Sequence, residues 1–411
     1  MTIVEFFENK SNMENIVSTL LCAPDKVIFL GSNTKQILRT IDVYEKIVHD
    51  RRIEVKFETK AINRNSIMSI ADVLEDIIEK EEDCIIDLSG GDDLALVAVG
   101  TVYADNADRM KLHRFNITNS TMTDCDSDGK LCAHAPFEIT IEELVAMNGG
   151  RVIYTDEKSN GTYRWDFNDE FVDDIFLMWE ACKKSPSDWN SQLAILAKMI
   201  SMQEEPAGLD VRINYKDADD ALRTMTENKK LDVELYKDLA KKGVLADFKA
   251  DKDGFSFNLK NEQIKKCLSK AGQVFELYIT ICASELKDDD GNPVYTDVLN
   301  GVFIDWDGEV HQGTGKDVEN EIDIILMRGL MPVFISCKNG SCDINELFKL
   351  SVVAEHFGGK FVRSVLAGTE IDKTDNLELR AKAMGIKPWL KLHQISENNF
   401  ISNLSNLWRA Q

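Results

Sequence analysis

Over the first hundred residues, short apolar runs alternate with segments of helical period. Residues 26–31 (KVIFLG) are apolar and end on glycine, the signature of a buried strand. A polar turn, Ser32-Asn33-Thr34, follows, and then Ile37, Leu38, Ile41, Tyr44, Ile47 and Val48 recur at the spacing of one helix face. The same pairing repeats. Strand 53–62 (IEVKFETKAI) leads into a helix through Ile67, Ile70, Leu74, Ile77 and Ile78. Strand 84–88 (CIIDL) leads through SGGDD into the almost wholly apolar LALVAVGTVYA. Strand–helix alternation of this kind predicts a doubly wound parallel sheet, with ligands bound beyond the carboxyl ends of its strands.

The middle of the chain is helical. Thr140-Ile-Glu-Glu143 has the form of a capping box and predicts a short helix ending near Gly149-Gly150. Helices are expected at 168–183 and 186–203, with Phe171, Ile175, Trp179 and then Trp189, Leu193, Leu196, Ile200 on apolar faces. They suit connectors or an oligomer interface, or else ordinary core. Residues 204–210, with Pro206 and Gly208, read as a linker. Residues 216–262 give helices and a hairpin turning at 251–254, a winged-helix-like pattern. The second helix, VELYKDLAKKGV, has no arginine and little basic charge, so the module reads as a spacer.

From 261 a long helix is expected through NEQIKKCLSKAGQVFELYITICASEL, with Glu276 set among apolar residues. Strands 301–306, 321–327 and 332–338 follow, then a helix through Ile344, Leu347, Leu350 and Val353, and strand 360–368. With Gly329-Leu330 as a two-residue hairpin loop, Asp323 falls opposite Ser336 and Glu321 opposite Lys338. All four then share one face, and Ile322, Ile324, Ile335 and Cys337 share the other. Two acids and a lysine are thereby gathered. A solvated salt-bridged face would not explain why charges end two otherwise apolar strands side by side.

Two loops of the N-terminal part, 31–35 and 89–93, offer small residues, hydroxyls and backbone N–H groups at helix starts, an arrangement suited to phosphate. Asp92 and Asp93 oppose a bare phosphate unless they turn away or bind sugar hydroxyls, and capping alone accounts for Ser89 and the glycines equally well. GGDD is also the metal-binding turn of palm-type cyclases and polymerases, but there it joins two strands, whereas the segment after it here suits a buried helix.

Composition adds boundaries to this picture. The 411 residues suffice for two or three domains, taken as 1–150, 151–262 and 263–411. A net charge of −23 excludes a broad basic face coating duplex DNA while leaving nucleic acid possible in a local groove. No run of about 18 apolar residues is present, so no membrane span is expected, and the first residues lack the order of a secretion signal. Nine cysteines without paired spacing suit reduced thiols in a cytoplasm. Cys125, Cys132 and His134 lack the fourth ligand and tighter spacing of a zinc site.

The C-terminal motifs, Asp323 and Lys338 on paired strands and Glu276 in AGQVFELY, resemble the PD-(D/E)xK, restriction-endonuclease-like fold. Taken with IIDLSGGDDLALVAVG, FLGSNTKQ, NEIDIILMRG, FISCKNG and ELFKLSVVAEHFGGKF, the chain resembles the CRISPR-associated nucleases of type III systems that carry an N-terminal CARF sensor. The resemblance implies an α/β protein with a Rossmann-like CARF domain, a helical, winged-helix-like connector and a C-terminal restriction-endonuclease-like α/β domain. It implies a homodimer binding a cyclic oligoadenylate, the tetra-adenylate foremost, through Ser32, Asn33, Thr34, Ser89, Gly90, Gly91 and Asp92. Catalysis would fall to Glu276, Asp323, Lys338 and Glu346, with Mn²⁺ or Mg²⁺ held by Glu276, Asp323 and Glu321. The substrate would be single-stranded DNA, RNA or nicked duplex. Ser336 stands where the family has an acid; in some restriction endonucleases with serine there, the acid comes from the next helix, where Glu346 is well placed and Glu355 less so, and Glu321 could also serve. The alternative to this reading is a ligand-responsive nucleic-acid-binding regulator, its middle module reading DNA and its nuclease fold degenerate at Ser336.

Overall fold

The structure is a computed structural model and describes residues 1–8, 11–126, 128–134, 137–203, 208–225, 230–309, 318–371 and 375–408. Its first part runs β1 (Thr2–Phe6), α1 (Glu14–Cys22), β2 (Lys26–Gly31), α2 (Thr34–Asp50), β3 (Lys56–Ala61), α3 (Ile67–Lys80), β4 (Cys84–Asp87), α4 (Asp93–Asn106), β5 (Met110–Asn116), β6 (Thr121–Asp124) and β7 (Lys130–Cys132). The sheet order is β3-β2-β1-β4-β5-β6-β7, parallel through β5 and antiparallel beyond. Ile3, Phe7, Val27 and Phe29 pack toward α1 and α2, while Val4, Phe6, Ile28 and Leu30 pack toward α3 and α4. This is the Rossmann-like doubly wound core that the alternation predicts.

The periodicity does not mark β1, yet β1 is the central strand. Chain order reverses between β1 and β4, and in such sheets the ligand crevice opens at that reversal. The loop after β4 borders it. The loop after β2, with Ser32, Asn33 and Thr34, stands one strand further out. Asp92, not Ser89, caps α4 by accepting the Ala95 N–H, so the segment after GGDD is a helix and the palm turn is excluded.

The next elements are α5 (Ile141–Met147), β8 (Arg151–Ile153), α6 (Asp169–Cys182), α7 (Pro186–Ser201), β9 (Asp210–Asn214), α8 (Tyr215–Met225), α9 (Val233–Lys241), β10 (Leu245–Ala250) and β11 (Gly254–Leu259). The capping box on α5 is present in both directions: Thr140 accepts the Glu143 N–H, and Glu143 accepts the Thr140 N–H. A three-stranded antiparallel sheet, β10-β11-β9, packs with α8 and α9. Of the expected linker, residues 204–207 lie outside the described residues; β9 begins at Asp210.

The remaining elements are α10 (Glu262–Ser269), α11 (Gln273–Ser284), β12 (Asp297–Asp305), β13 (Glu319–Arg328), β14 (Met331–Lys338), α12 (Asn345–Gly358), β15 (Arg363–Gly368), α13 (Asp375–Ala383), β16 (Ile386–Trp389) and α14 (Glu397–Ser405). They form a six-stranded sheet ordered β16-β15-β14-β13-β12-β8, so residues 151–153 supply its edge. Strands β12, β13 and β14 are antiparallel, and β15 and β16 continue parallel to β14. One face packs on α6, α7 and α11, where Trp179 stacks on Phe275 and Tyr278 at 5.3 and 4.8 Å. The apolar faces of α6 and α7 are thus core. The other face packs on α5 and α12.

The single helix expected from 261 to 286 is two helices. Lys270 leaves helical geometry (φ −125°, ψ 117°), and α11 restarts after Gly272. A Cβ at Gly272 would lie 3.3 Å from Glu276 Oε1, so this glycine leaves room for a buried carboxylate. Among the described residues, no helix is long and apolar enough to cross a membrane.

Candidate functional site

The hairpin of β13 and β14 turns at Gly329, whose φ of +60° favours glycine. Its ladder runs from Arg328↔Met331 to Ile324↔Ile335, the register that the loop length predicts. Past Ile324 the strands part. The Asp323 carboxylate takes the Cys337 N–H at 2.6 Å and accepts from the Ser336 hydroxyl at 3.3 Å, so Asp323 and Ser336 do meet. Glu321 does not reach Lys338 as expected. With the ladder ended, it pairs with Lys270 at 2.6 Å, and Lys338 turns to Glu346 at 3.0 Å, with Asp323 at 3.8 Å.

The side-chain alternation breaks at the same point. Ile324, Ile335 and Cys337 pack toward α11, but Ile322 packs on the opposite side with Ile325 and Met327. The expected sharing of one face by Ile322 and Ile324 is therefore absent. Gly301 of the neighbouring β12 adopts φ +58° between the pairs Asn300↔Ile324 and Val302↔Ile322, so both strands kink beside Asp323.

Glu276 enters from the first turn of α11 and is 3% exposed. Gln273 Nε2 donates to it at 3.2 Å, and the Lys270 ammonium is 3.6 Å away. Gln273 also donates to Asn300, which in turn donates to the Asp323 carbonyl oxygen at 3.3 Å, so the backbone at Asp323 and the carboxylate of Glu276 share one buried network. Burial, and then the charges of Asp323 and Glu321, push the Glu276 carboxyl up to about 8 despite Lys270. Burial likewise holds Asp323 above the ordinary carboxylate value, against the pull of Lys338 and the Cys337 N–H. Burial would lower Lys338, but Asp323 and Glu346 outweigh it and keep the ammonium charged. Glu346, raised by burial, ends below its ordinary value because Lys349 and Lys338 flank it.

The site thus combines buried carboxyl groups, whose ionised forms their surroundings leave under-compensated, with a charged lysine beside them. Their hard oxygen donors suit Mg²⁺ or Mn²⁺ rather than a soft metal. Among the described residues, no group of three or more His, Cys, Asp or Glu is drawn together closely enough to hold a metal. Ammonium groups stand between the acids instead: Lys270 joins Glu276 to Glu321, and Lys338 joins Asp323 to Glu346. The sequence does not single out Lys270, Gln273 or Asn300. Asn300 is the one of them with a signal, as a buried amide beside a glycine in an otherwise apolar strand.

A second feature lies at the β1/β4 crevice. A cleft of about 920 Å³ is lined by Ser89, Gly90 and Gly91, by Gln36 and Arg39 of α2, and from across by Trp306 and by Val352 and His356 of α12. A Cβ on Gly90 would lie 2.7 Å from the Phe6 carbonyl oxygen, and Gly91 has φ +98°, so this turn requires both glycines. Ser89 accepts the Phe115 N–H. Of the seven ligand residues expected, Ser89, Gly90 and Gly91 line the cleft. Asn33 caps α2, Asp92 caps α4, and neither they nor Ser32 and Thr34 are among its walls. Gln36, Arg39, Trp306 and His356 carry no local motif that would reveal them.

No protein-family model matches the sequence, and no curated protein matches it. Solved structures do. Protein VC1899 from Vibrio cholerae superposes with a TM-score of 0.71 at 16% identity, over 99% of this chain and 97% of that one. Can2 from Sulfobacillus thermosulfidooxidans, in complex with cyclic tetra-adenylate, gives 0.67 at 14% identity, over 100% of this chain and 99% of that one. The chain has the fold of these two proteins along its length.

Proposed function

We propose that this protein is a cyclic oligoadenylate-activated, divalent-metal-dependent nuclease that hydrolyses phosphodiester bonds in type III CRISPR antiviral defence. The observation that carries the reading is the ion-paired run of Asp323, Lys338 and Glu346 where β13 and β14 part, with Glu276 joined to Asp323 through Gln273 and Asn300 and both carboxyls held above their ordinary values by burial. The full-length likeness to Can2, which binds cyclic tetra-adenylate, supports the activator.

Glu276, Asp323 and Glu321 would hold the metal, which when bound supplies an acidified water and offsets charge on the phosphate. Lys338, kept charged by its neighbours, would sit against a non-bridging phosphate oxygen. Glu346 would position that ammonium and stand in for the acid missing at Ser336. The cleft with Gly90-Gly91 at its floor would take the activator, whose phosphate would have to displace the Glu8 carboxylate that now accepts the Gly91 N–H. A homodimer is supported by α4. Leu94, Leu96 and Val97 are 38%, 41% and 52% exposed on its outer side, while Ala95, Ala98 and Val99 fill the core. That outer face begins at the Gly90-Gly91 turn, so a second copy seated there would border the cleft. Single-stranded DNA, RNA or nicked duplex would be the substrate.

The test incubates labelled single-stranded DNA and RNA with Mn²⁺, with and without cyclic tetra-adenylate, for the wild type, Lys338→Ala and Glu346→Ala. Ligand-dependent cutting by the wild type, lost in Lys338→Ala, is expected. Absence of cutting by the wild type would favour a ligand-responsive nucleic-acid-binding regulator, a reading that Ser336 in the acid's place also suits. Unchanged cutting by Glu346→Ala would remove Glu346 from the site.

A further inference from the structure

Trp306 and His356 face the cleft from the C-terminal half, across from the glycine turn. Their rings stack at 4.4 Å between centroids with an interplanar angle of 20°. The indole is held in place. Its Nε1 donates to Asn320 at 2.7 Å, and Phe357 meets it edge-on at 5.2 Å. His356 is exposed, as are its cleft-lining neighbours Val352 and Glu355. A flat aromatic pair in a cleft that also holds the cations of Arg39 and Lys360 matches a nucleotide, with a base to stack and phosphates to pair, the lining acids Glu8, Glu14 and Glu355 being left to its hydroxyls and amino groups.

His356 lies on α12, the helix whose first turn carries Glu346. Ten residues separate them, about 15 Å along the axis. Between them Leu347, Leu350, Val353 and Ala354, with Phe357 just beyond, are buried in one core, so the helix is a stiff rod with one end in the cleft and the other on Lys338.

We propose that the Trp306–His356 pair is a purine-stacking platform by which the ligand in the cleft touches the C-terminal half directly, and that α12 carries this contact to the Glu346–Lys338 pair. The inference rests on the cleft being the activator site. Adenine packed on the platform shifts α12 relative to β14 and so changes how Glu346 holds the lysine.

The experiment uses the full chain with cyclic tetra-adenylate, measuring binding by calorimetry, Trp306 fluorescence as the difference between wild type and Trp306→Phe, and cleavage at saturating ligand. Variants are His356→Ala, which removes a ring, and His356→Phe, which keeps one. The expected result is quenching of Trp306 by ligand, binding weakened roughly tenfold or more in His356→Ala, reduced maximal cleavage in that variant, and recovery of both in His356→Phe. Wild-type binding with no Trp306 signal, or His356→Ala binding and cutting like the wild type, overturns the platform while leaving the cleft as the activator site. Failure of the wild type to bind overturns the cleft assignment and this inference together.

Discussion

Replacing Glu276 by glutamine is expected to make the protein more stable and, in the same stroke, inactive. The folded state lifts this carboxyl from an ordinary 4.5 to about 8. A raised carboxyl contributes stability that is fully present below 4.5 and is lost as pH rises toward 8, because the native state clings to a proton that the unfolded chain releases. Glu276 is fully buried, so solvent does not discount the effect. At 1.36 kcal/mol for each unit, the wild type at pH 8 gives up on the order of 4–5 kcal/mol. Glutamine keeps the shape and can still accept from Gln273, but it gives up the attraction to Lys270, which retains Glu321 at 2.6 Å; that loss is about 1 kcal/mol. The variant should therefore gain roughly 3 kcal/mol at pH 8, and little or nothing at pH 5. Thermal unfolding at both pH values measures this, with a midpoint shift of roughly 3–4 °C expected at pH 8 alone for a chain of 411 residues. Mn²⁺ supplies the second arm. A hundredfold excess over its dissociation constant should stabilise the wild type by about 2.7 kcal/mol and the variant far less. A variant less stable than the wild type at pH 8, or a difference independent of pH, would refute the reasoning.

Three further outcomes are expected. Gly90→Val should abolish cyclic tetra-adenylate binding in calorimetry and cost about 1–3 kcal/mol in denaturation, since its Cβ would stand 2.7 Å from the Phe6 carbonyl oxygen. Val97→Lys should leave the fold intact by circular dichroism and convert a dimer to a monomer in sedimentation, because Val97 is 52% exposed on the apolar outer side of α4. Glu5→Gln should stabilise the protein increasingly as pH rises above 4.5. Burial and the neighbouring Asp87 hold Glu5 well above that value, and the Thr19 hydroxyl beside it offsets this only in part. A pH-independent effect of Glu5→Gln would show the carboxyl to be charged in the native state.

The legible part of this fold is the part that obeys one period at a time. Strands β2 to β4, the helices between them and the hairpin register could all be read from apolar spacing and turn chemistry. Strand β1 was hidden because Glu5 interrupts TIVEF, and a carboxylate in a central strand is what periodicity treats as an end. Without β1 in the pattern, the loop after β2 reads as a crevice loop on a par with the loop after β4, whereas in the sheet it stands one strand further out. At the hairpin the period-two rule held up to Ile324 and failed one residue later, where the Asp323 carboxylate rather than a carbonyl takes the Cys337 N–H. A side chain that ends a ladder by occupying its hydrogen bond leaves no mark in a pattern of polar and apolar letters. The break at 270–272 escaped for a related reason, because Lys270 suits a helix by propensity and is drawn out of it by Glu321 and Glu276, which are distant in sequence. Helix α12 shows the limit most clearly. Its period accounts for Leu347, Leu350, Val353 and Phe357, and assigns Glu346 and His356 to solvent as two unrelated polar residues. Only the packing of both halves against it makes one the neighbour of Lys338 and the other a wall of the cleft.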